Sequence, residues 1–344
     1  VVLEARPALC VEEVTTPEAL ERLRPEWSAL WARCPEATPF QSPEWLIPWW
    51  KHIGEGELWT LALREEGRLA GLAPLYVYTG GAPPRQVFPV GIATTDYLDA
   101  LFEPESGRRG AAALFTHLQA NRGRWDVLDL QQLRPGSPLL EAPAPRGWSE
   151  ERDEQEPCPV LTLPHAVEEL PRHVPARLLQ NLRYYRRRAE KLGELRMESA
   201  TGANLEELFE ALLRLHRARW SSRGLPGVLA EGRVQDAHRE SLLGLLAAGV
   251  LRLYALRLDE RIVACYYGFM DRRGTAKRAY YYLSGFDPAL ERLSLGTLVI
   301  GHAVQEAVRE GAVEFDFLRG REAYKYLWGA KDRPTYRRRL RHAG

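Results

Sequence analysis

Apolar positions repeat at helical spacing near the start of the chain, where Leu20, Leu23, Trp27, Leu30 and Trp31 share one stripe. Thr15-Thr16-Pro17-Glu18 reads as a capping box for that helix, with Thr15 as the cap. A second short helix is expected over 43–52, with Trp45, Trp49 and Trp50 among its residues. The runs 58–63 and 69–78 flank Arg64-Glu65-Glu66-Gly67-Arg68 and read as a β-hairpin. Residues 83–102 are extended and irregular, 106–121 are helical, and 125–130 form a short buried strand. From 134 to 157 the periodicity disappears. Pro, Gly and Ser dominate there, and 150–156 holds five acids and one Arg, the composition of a loop or hinge.

Periodicity returns with a strand at 160–163 and a strongly basic helix over about 175–192. Asn204 caps a long helix whose apolar face carries Leu205, Leu208, Phe209, Leu212, Leu213 and Leu215, with Gly224 as its stop. Another helix (233–248) precedes three strands, 250–258, 261–271 and 276–284. A helix over 294–310, a strand over 313–318, a short helix over 321–329 and a strand over 335–340 complete the chain. A meander feeding a β-α-β step predicts an α/β fold with a mixed sheet and helices on its faces. The first half repeats a looser version of this order. The expectation is two related domains in tandem, 1–133 and 160–344, joined by a linker over 134–159.

Composition narrows the classes. With 344 residues, 45% hydrophobic and 27% charged, the chain has the makeup of a globular protein of about two domains. No apolar run reaches the ~18 residues of a membrane span. The formal charge of +1 hides an asymmetry: residues 1–160 hold 24 acids and 15 bases, residues 161–344 hold 22 acids and 32 bases. The basic half is where an anionic ligand is expected. A near-neutral total argues against a general DNA or RNA binder. Cys10, Cys34, Cys158 and Cys265 have neither C-x-x-C pairing nor a His at ligand spacing, so no metal site or disulfide framework is expected. Charges in the first residues, where a signal peptide needs an apolar core, make the cytoplasm the expected location.

Four segments carry candidate chemistry. The strand ending at Tyr282-Leu283-Ser284-Gly285 runs through a loop, with Arg292, Ser294, Leu295, Gly296 and Thr297, into a helix N-terminus. Free backbone N–H groups and the helix dipole suit a phosphate there; the alternative is an ordinary loop with Ser294 as helix cap. In 314–325, alternation puts Glu314, Asp316 and Leu318 on one strand face, and Tyr324 and Lys325 follow on the next helix. A carboxylate, a phenol and an amine within ten residues suit acid–base chemistry, against a salt bridge for Asp316 and packing for Tyr324. Residues 177–191 hold six bases and one acid. Their Arg ridge, Arg187 included, suits phosphate, carboxylate or RNA, or else is a solvated face. His216 and Trp220 share a helix face, with His216 a candidate base or a packing residue.

His216-Arg217-Ala218-Arg219-Trp220 with Gly224-Leu225-Pro226-Gly227, the Gly285-Phe286-Asp287-Pro288 turn, and Asp316-Phe317-Leu318-Arg319-Gly320 with Tyr324-Lys325 together resemble the GNAT-type acyltransferases associated with cellulose biosynthesis. Thr38–Trp45, Pro74-Leu75 and Asp96-Tyr97 resemble the same family, so the likeness covers about residues 35–340. That family is similar in turn to Fem-type aminoacyl transferases, which carry two tandem domains. The resemblance implies acetyl-CoA or another acyl-CoA as donor, and a small-molecule, glycan or peptide acceptor offering an amine or hydroxyl. It implies a thioester lying where the central strands splay, with its pyrophosphate at Arg292 and Ser294–Thr297. The segment keeps the Arg of the usual Gln/Arg-x-x-Gly-x-Gly/Ala signature and departs from it at its glycines. By position Tyr324 corresponds to a general acid toward the thiolate, with Asp316 expected to orient or deprotonate the acceptor. Asp96, Tyr97, Arg187, Trp220 and Lys325 are the expected substrate contacts. A Fem-like transferase using charged tRNA and a non-catalytic module in polysaccharide production are the other readings.

Overall fold

The computed structural model describes residues 9–81, 83–274 and 276–342. The chain forms two compact units, one of residues 1–155 with 334–344 and the other of 156–333.

In the first unit, the hairpin Thr60–Glu65 with Arg68–Ala73 closes at Glu66-Gly67, both at positive φ. Strands Cys10–Val14 and Leu101–Phe102 flank the hairpin. Pro74 interrupts the expected run, and Leu75–Tyr78 pairs instead with Gln86–Pro89. The helices Pro17–Arg22, Pro43–Ile53 and Gly107–Ala120 stand close to expectation. Thr16, not Thr15, caps the first of these: its Oγ1 accepts from Ala19 N at 3.2 Å.

The expected linker is largely structured. Pro138–Glu141 is a helical turn, and Trp148–Thr162 is a strand of 15 residues. The acids that looked like a solvated run have bases opposite them in the last strand, Lys331–His342. Arg338 Nε donates to Glu150 at 2.9 Å and Arg341 Nη1 to Glu151 at 2.6 Å, while Arg339 pairs with both Glu151 and Asp153. The partners lie nearly two hundred residues apart in sequence, where local composition carries no sign of them. The last strand therefore belongs to the first unit. With it moved there, the first unit holds 23 acids and 19 bases and the second 23 acids and 28 bases, about half the asymmetry expected.

The second unit has helix α1 (Ala176–Glu190), strand β1 (Leu195–Ser199), helices α2 (Leu205–Ser221) and α3 (Gly232–Ala247), strands β2 (Leu251–Leu258), β3 (Arg261–Asp271) and β4 (Lys277–Phe286), helix α4 (Leu295–Arg309), strand β5 (Ala312–Asp316) and the turn α5 (Ala323–Tyr326). The order β1-β2-β3-β4 is an antiparallel meander. β5 lies parallel to β4 and antiparallel to Val160–Thr162. One core joins Val299, Ile300, Ala303 and Val304 of α4 to Tyr254, Val263, Tyr266 and Phe315 of the sheet. The wide apolar face of α2 buries Leu208, Phe209 and Leu212. Among the described residues no helix is long and apolar enough to cross a membrane.

Candidate functional site

The site begins where β4 and β5 part. Their ladder has Arg278 beside Glu314, Ala279 beside Phe315 and Tyr280 beside Asp316, and no rung beyond. β4 itself continues, paired to β3 as far as Phe286 opposite Ala264. Along that edge Gly268 faces Tyr281 and Tyr267 faces Leu283, so Tyr282 is one residue in excess. Such a bulge bends its strand and increases its twist, turning the end of β4 away from β5.

A cavity of about 230 Å³ lies in the gap. β4 contributes Tyr281, Ser284 and Phe286; α4 contributes Gly296, Thr297 and Ile300; Tyr324, Leu327 and Trp328 close another side. The bulge explains why Tyr281 and Ser284 act together. Strict alternation puts residues three apart on opposite faces, but the extra residue brings both to one face. Tyr281 Oη and Ser284 Oγ lie 2.7 Å apart. Tyr324 stands edge-on to Tyr281, with ring centroids 6.3 Å apart at 88°. Burial above all, and Tyr281 beside it, hold the Tyr324 phenol far above its ordinary pKa. It is therefore a protonated donor across the neutral range.

The helix start follows directly. Ser294 takes φ +49°, the left-handed conformation that glycine adopts at lower cost. This turns the chain sharply into α4, where Thr297 N reaches Ser294 O at 2.9 Å. A Cβ at Gly296 would lie 3.1 Å from Phe286 Cδ1, so the missing side chain keeps the cavity wall open.

Arg219 and Arg223 of the α2 segment complete the lining with Leu178. Gly285 lets α2 approach β4: a Cβ there would lie 2.6 Å from His216 N. One turn further on, Arg219 Nη1 donates to Ser284 O at 3.4 Å, and its guanidinium lies 4.7 Å from the Phe286 ring centroid. Arg219 Nε is buried with no hydrogen-bond partner among the described residues.

Of the residues picked from sequence, Gly296, Thr297 and Tyr324 line this cavity. Ser294 and Leu295 form the turn beside it, with Leu295 buried. Arg292 is exposed, and its carbonyl accepts from Arg188 Nη1 at 3.2 Å. Trp220 lies between Arg219 and Arg223, its ring 5.9 and 5.8 Å from their guanidinium carbons. Arg187 is exposed on α1.

Other picks stand elsewhere. Asp316 is buried at the end of β5, outside the cavity lining. Its Oδ1 accepts from Leu318 N at 2.8 Å, and Arg333 Nη1 lies 3.6 Å from Oδ2. It fixes the turn, where Leu318 has φ +56°. Lys325 is 2% exposed, and its Nζ donates to the carbonyls of Leu318, Arg319 and Gly320 at 2.9, 2.7 and 3.2 Å. That ammonium staples the loop, with Glu322 Oε2 also 2.9 Å away. His216 is buried against Trp220 outside the cavity lining, its pKa pushed down to about 4 by burial and then by the Arg219 charge. Asp96 and Tyr97 are buried in the first unit, with Tyr97 at φ +58° and the Arg134 guanidinium 5.2 Å from its ring.

Sequence reading passed over Arg219, Arg223, Tyr281 and Ser284. For the arginines a signal existed: they flank Trp220 at i and i+4 spacing, Arg219 in the last turn of α2 and Arg223 just past its end. For Tyr281 and Ser284 the bulge hid it. Among the described residues no cluster of His, Cys, Asp and Glu is arranged to hold a metal.

Residues 176–326, all within the second unit, match the family described as acetyltransferase (GNAT) domain. FemX is similar over 96% of both chains at 12% identity, with a TM-score of 0.66. L-PGS from Bacillus licheniformis is similar over 99% of this chain and 93% of that one, at 11% identity and a TM-score of 0.60. A tandem GNAT protein from the clavulanic acid biosynthesis pathway is similar over 97% and 99%, at 15% identity and a TM-score of 0.50. These likenesses establish the mixed α/β GNAT fold. No curated protein matches the chain by sequence.

Proposed function

We propose that the chain is an acyltransferase that moves an acyl group, acetyl or longer, from acyl-CoA to an amine or hydroxyl of an acceptor. The observation that carries this reading is the cavity where β4 and β5 part, with a helix N-terminus on one side and the half-buried Tyr324 phenol on another. On the side facing β5, β4 has no ladder beyond Tyr280 and offers backbone groups to a thioester, where a backbone N–H would polarise its carbonyl. The start of α4 at Leu295, Gly296 and Thr297 suits the pyrophosphate, with Arg292 at the surface beside it.

The acceptor nitrogen or oxygen bonds to the carbonyl carbon and the carbon–sulfur bond breaks. Tyr324 gives its proton to the departing thiolate, and the proton lost by the acceptor restores the phenol over the cycle. Asp316 and Lys325 position the loop before Tyr324, and neither is assigned a proton-transfer role. The cellulose-associated branch of the superfamily draws on the sequence motifs alone. Titration with acetyl-CoA and longer acyl-CoAs, followed by thiol release over a panel of amines and alcohols, tests the reading. Absence of both binding and release sinks it.

A second reading, a transferase using aminoacyl-tRNA, draws on the exposed Arg177, Arg183, Arg186 and Arg187 of α1. It requires tRNA affinity that falls steeply with salt.

A further inference from the structure

The cavity lining contains two arginines and, among the described residues, no acid. That departs from the pattern of the unit around it. Arg257 is paired with Glu198 at 2.6 Å, Arg273 with Asp271 at 2.8 Å, and Arg252 with Glu310. Each of these half-buried or buried guanidiniums has a carboxylate beside it, as the cost of desolvating a charge demands. Arg219 has aromatic rings and one long bond to the Ser284 carbonyl. The rings of Phe286 and Trp220 orient its plane without neutralising it. Its Nε is buried and unused. Arg223, four residues on, is exposed at the rim.

We propose that Arg219, with Arg223 at the mouth, is a specificity determinant that receives a carboxylate of the acceptor, an amino acid or a molecule with an amino-acid end. A planar guanidinium is the side chain that matches a carboxylate at two points. The hydroxyls of Tyr281, Ser284 and Tyr324 share the same space, which places a carboxylate held by Arg219 close to the reacting carbonyl. The inference deepens the acyltransferase reading and rests on it. A carboxylate on the donor's acyl group would satisfy the same clamp, so the test separates the two sources.

Thiol release from acetyl-CoA is measured with the common amino acids, their methyl esters and the matching amines without a carboxylate. Donor binding is titrated in parallel. The expected result is at least one amino acid used with kcat/KM about tenfold or more above its ester, the weight of one charge-assisted hydrogen bond. In Arg219→Gln that preference collapses while acetyl-CoA still binds, and Arg219→Lys recovers part of it. Normal donor binding with no acid-over-ester preference, or a preference unchanged in Arg219→Gln, overturns this inference and leaves the acyltransferase reading standing. Succinyl-CoA preferred over acetyl-CoA only when Arg219 is present, with no acceptor preference, assigns the clamp to the donor and also overturns it. Loss of donor binding by the unmodified protein sinks the broader reading instead.

Discussion

Tyr280 and Asp316 are the last rung of the ladder between β4 and β5, and the cavity opens directly beyond them. On the near side of that rung the two strands share backbone hydrogen bonds. On the far side they diverge, because β4 carries an extra residue at Tyr282 and β5 ends in a turn held by the Asp316 carboxylate. Everything proposed for the domain depends on this divergence.

Tyr324→Phe removes one hydroxyl from a ring standing edge-on to Tyr281. Thiol release is expected to fall by ~10²-fold or more in kcat, the usual weight of a general acid, with KM little changed. Thermal unfolding followed by circular dichroism should move by only a few degrees. Burial keeps the phenol protonated, so the unmodified protein should lose no activity to its ionisation below pH ~10. An unchanged kcat in the variant removes Tyr324 from the chemistry.

Asp316 and Lys325 are predicted to act on stability. Lys325→Met leaves three carbonyls without their donor and Glu322 without its partner, 2.9 Å away. A cost of about 1–3 kcal/mol in urea unfolding is expected from leaving these carbonyls without their donor. Asp316→Asn retains an oxygen for Leu318 N and should keep most activity. A selective loss of kcat in a well-folded Asp316→Asn protein would restore a catalytic role.

His216 predicts a direction for acid sensitivity. In the folded state its pKa is pushed down to about 4, against an ordinary 6.5. Between those values the unfolded chain binds a proton that the folded chain refuses, so stability rises with pH and is lost as pH falls from 6.5 toward 4. Going from pH 7 to pH 5 should cost the unmodified protein about 2 kcal/mol more than His216→Asn. Equal losses in chemical denaturation at the two pH values contradict this placement of the ring.

The last strand offers a test of how the units are composed. Arg338 is fully buried, with Glu150 at 2.9 Å and the Leu139 carbonyl at 2.5 Å. Arg338→Met should destabilise the first unit by about 1–3 kcal/mol by leaving the buried Leu139 carbonyl without its donor, while Glu150 keeps Arg152. Hydrogen exchange should register the loss in 127–133 and 148–155, not in α4 or β5. Exchange that rises first in 295–316 contradicts the assignment of 334–344 to the first unit.

How much of this was legible follows from the range of each signal. Helical and strand periodicity is local, so α2, α4 and the three meander strands stand within a few residues of expectation. The acidic stretch 150–156 misled because its partners lie in another strand far along the chain. For the same reason the −9 and +10 of the two sequence halves overstate the contrast between the folded units. Gly296, Thr297 and Tyr324 were found through motif position. Asp316 and Lys325 carry reactive groups, but only three-dimensional packing reveals that backbone already occupies them. Arg219 was passed over because, among 42 arginines, only the lack of an acidic neighbour distinguishes it.

Isothermal titration of the full chain with acetyl-CoA and a longer acyl-CoA, repeated with Gly296→Val, tests the central claim most directly. The account predicts saturable binding at one site per chain. It also predicts at least tenfold weaker binding when a side chain at position 296 is driven against Phe286. No binding by the unmodified protein, or equal binding by the variant, would contradict the placement of an acyl-CoA where β4 and β5 part.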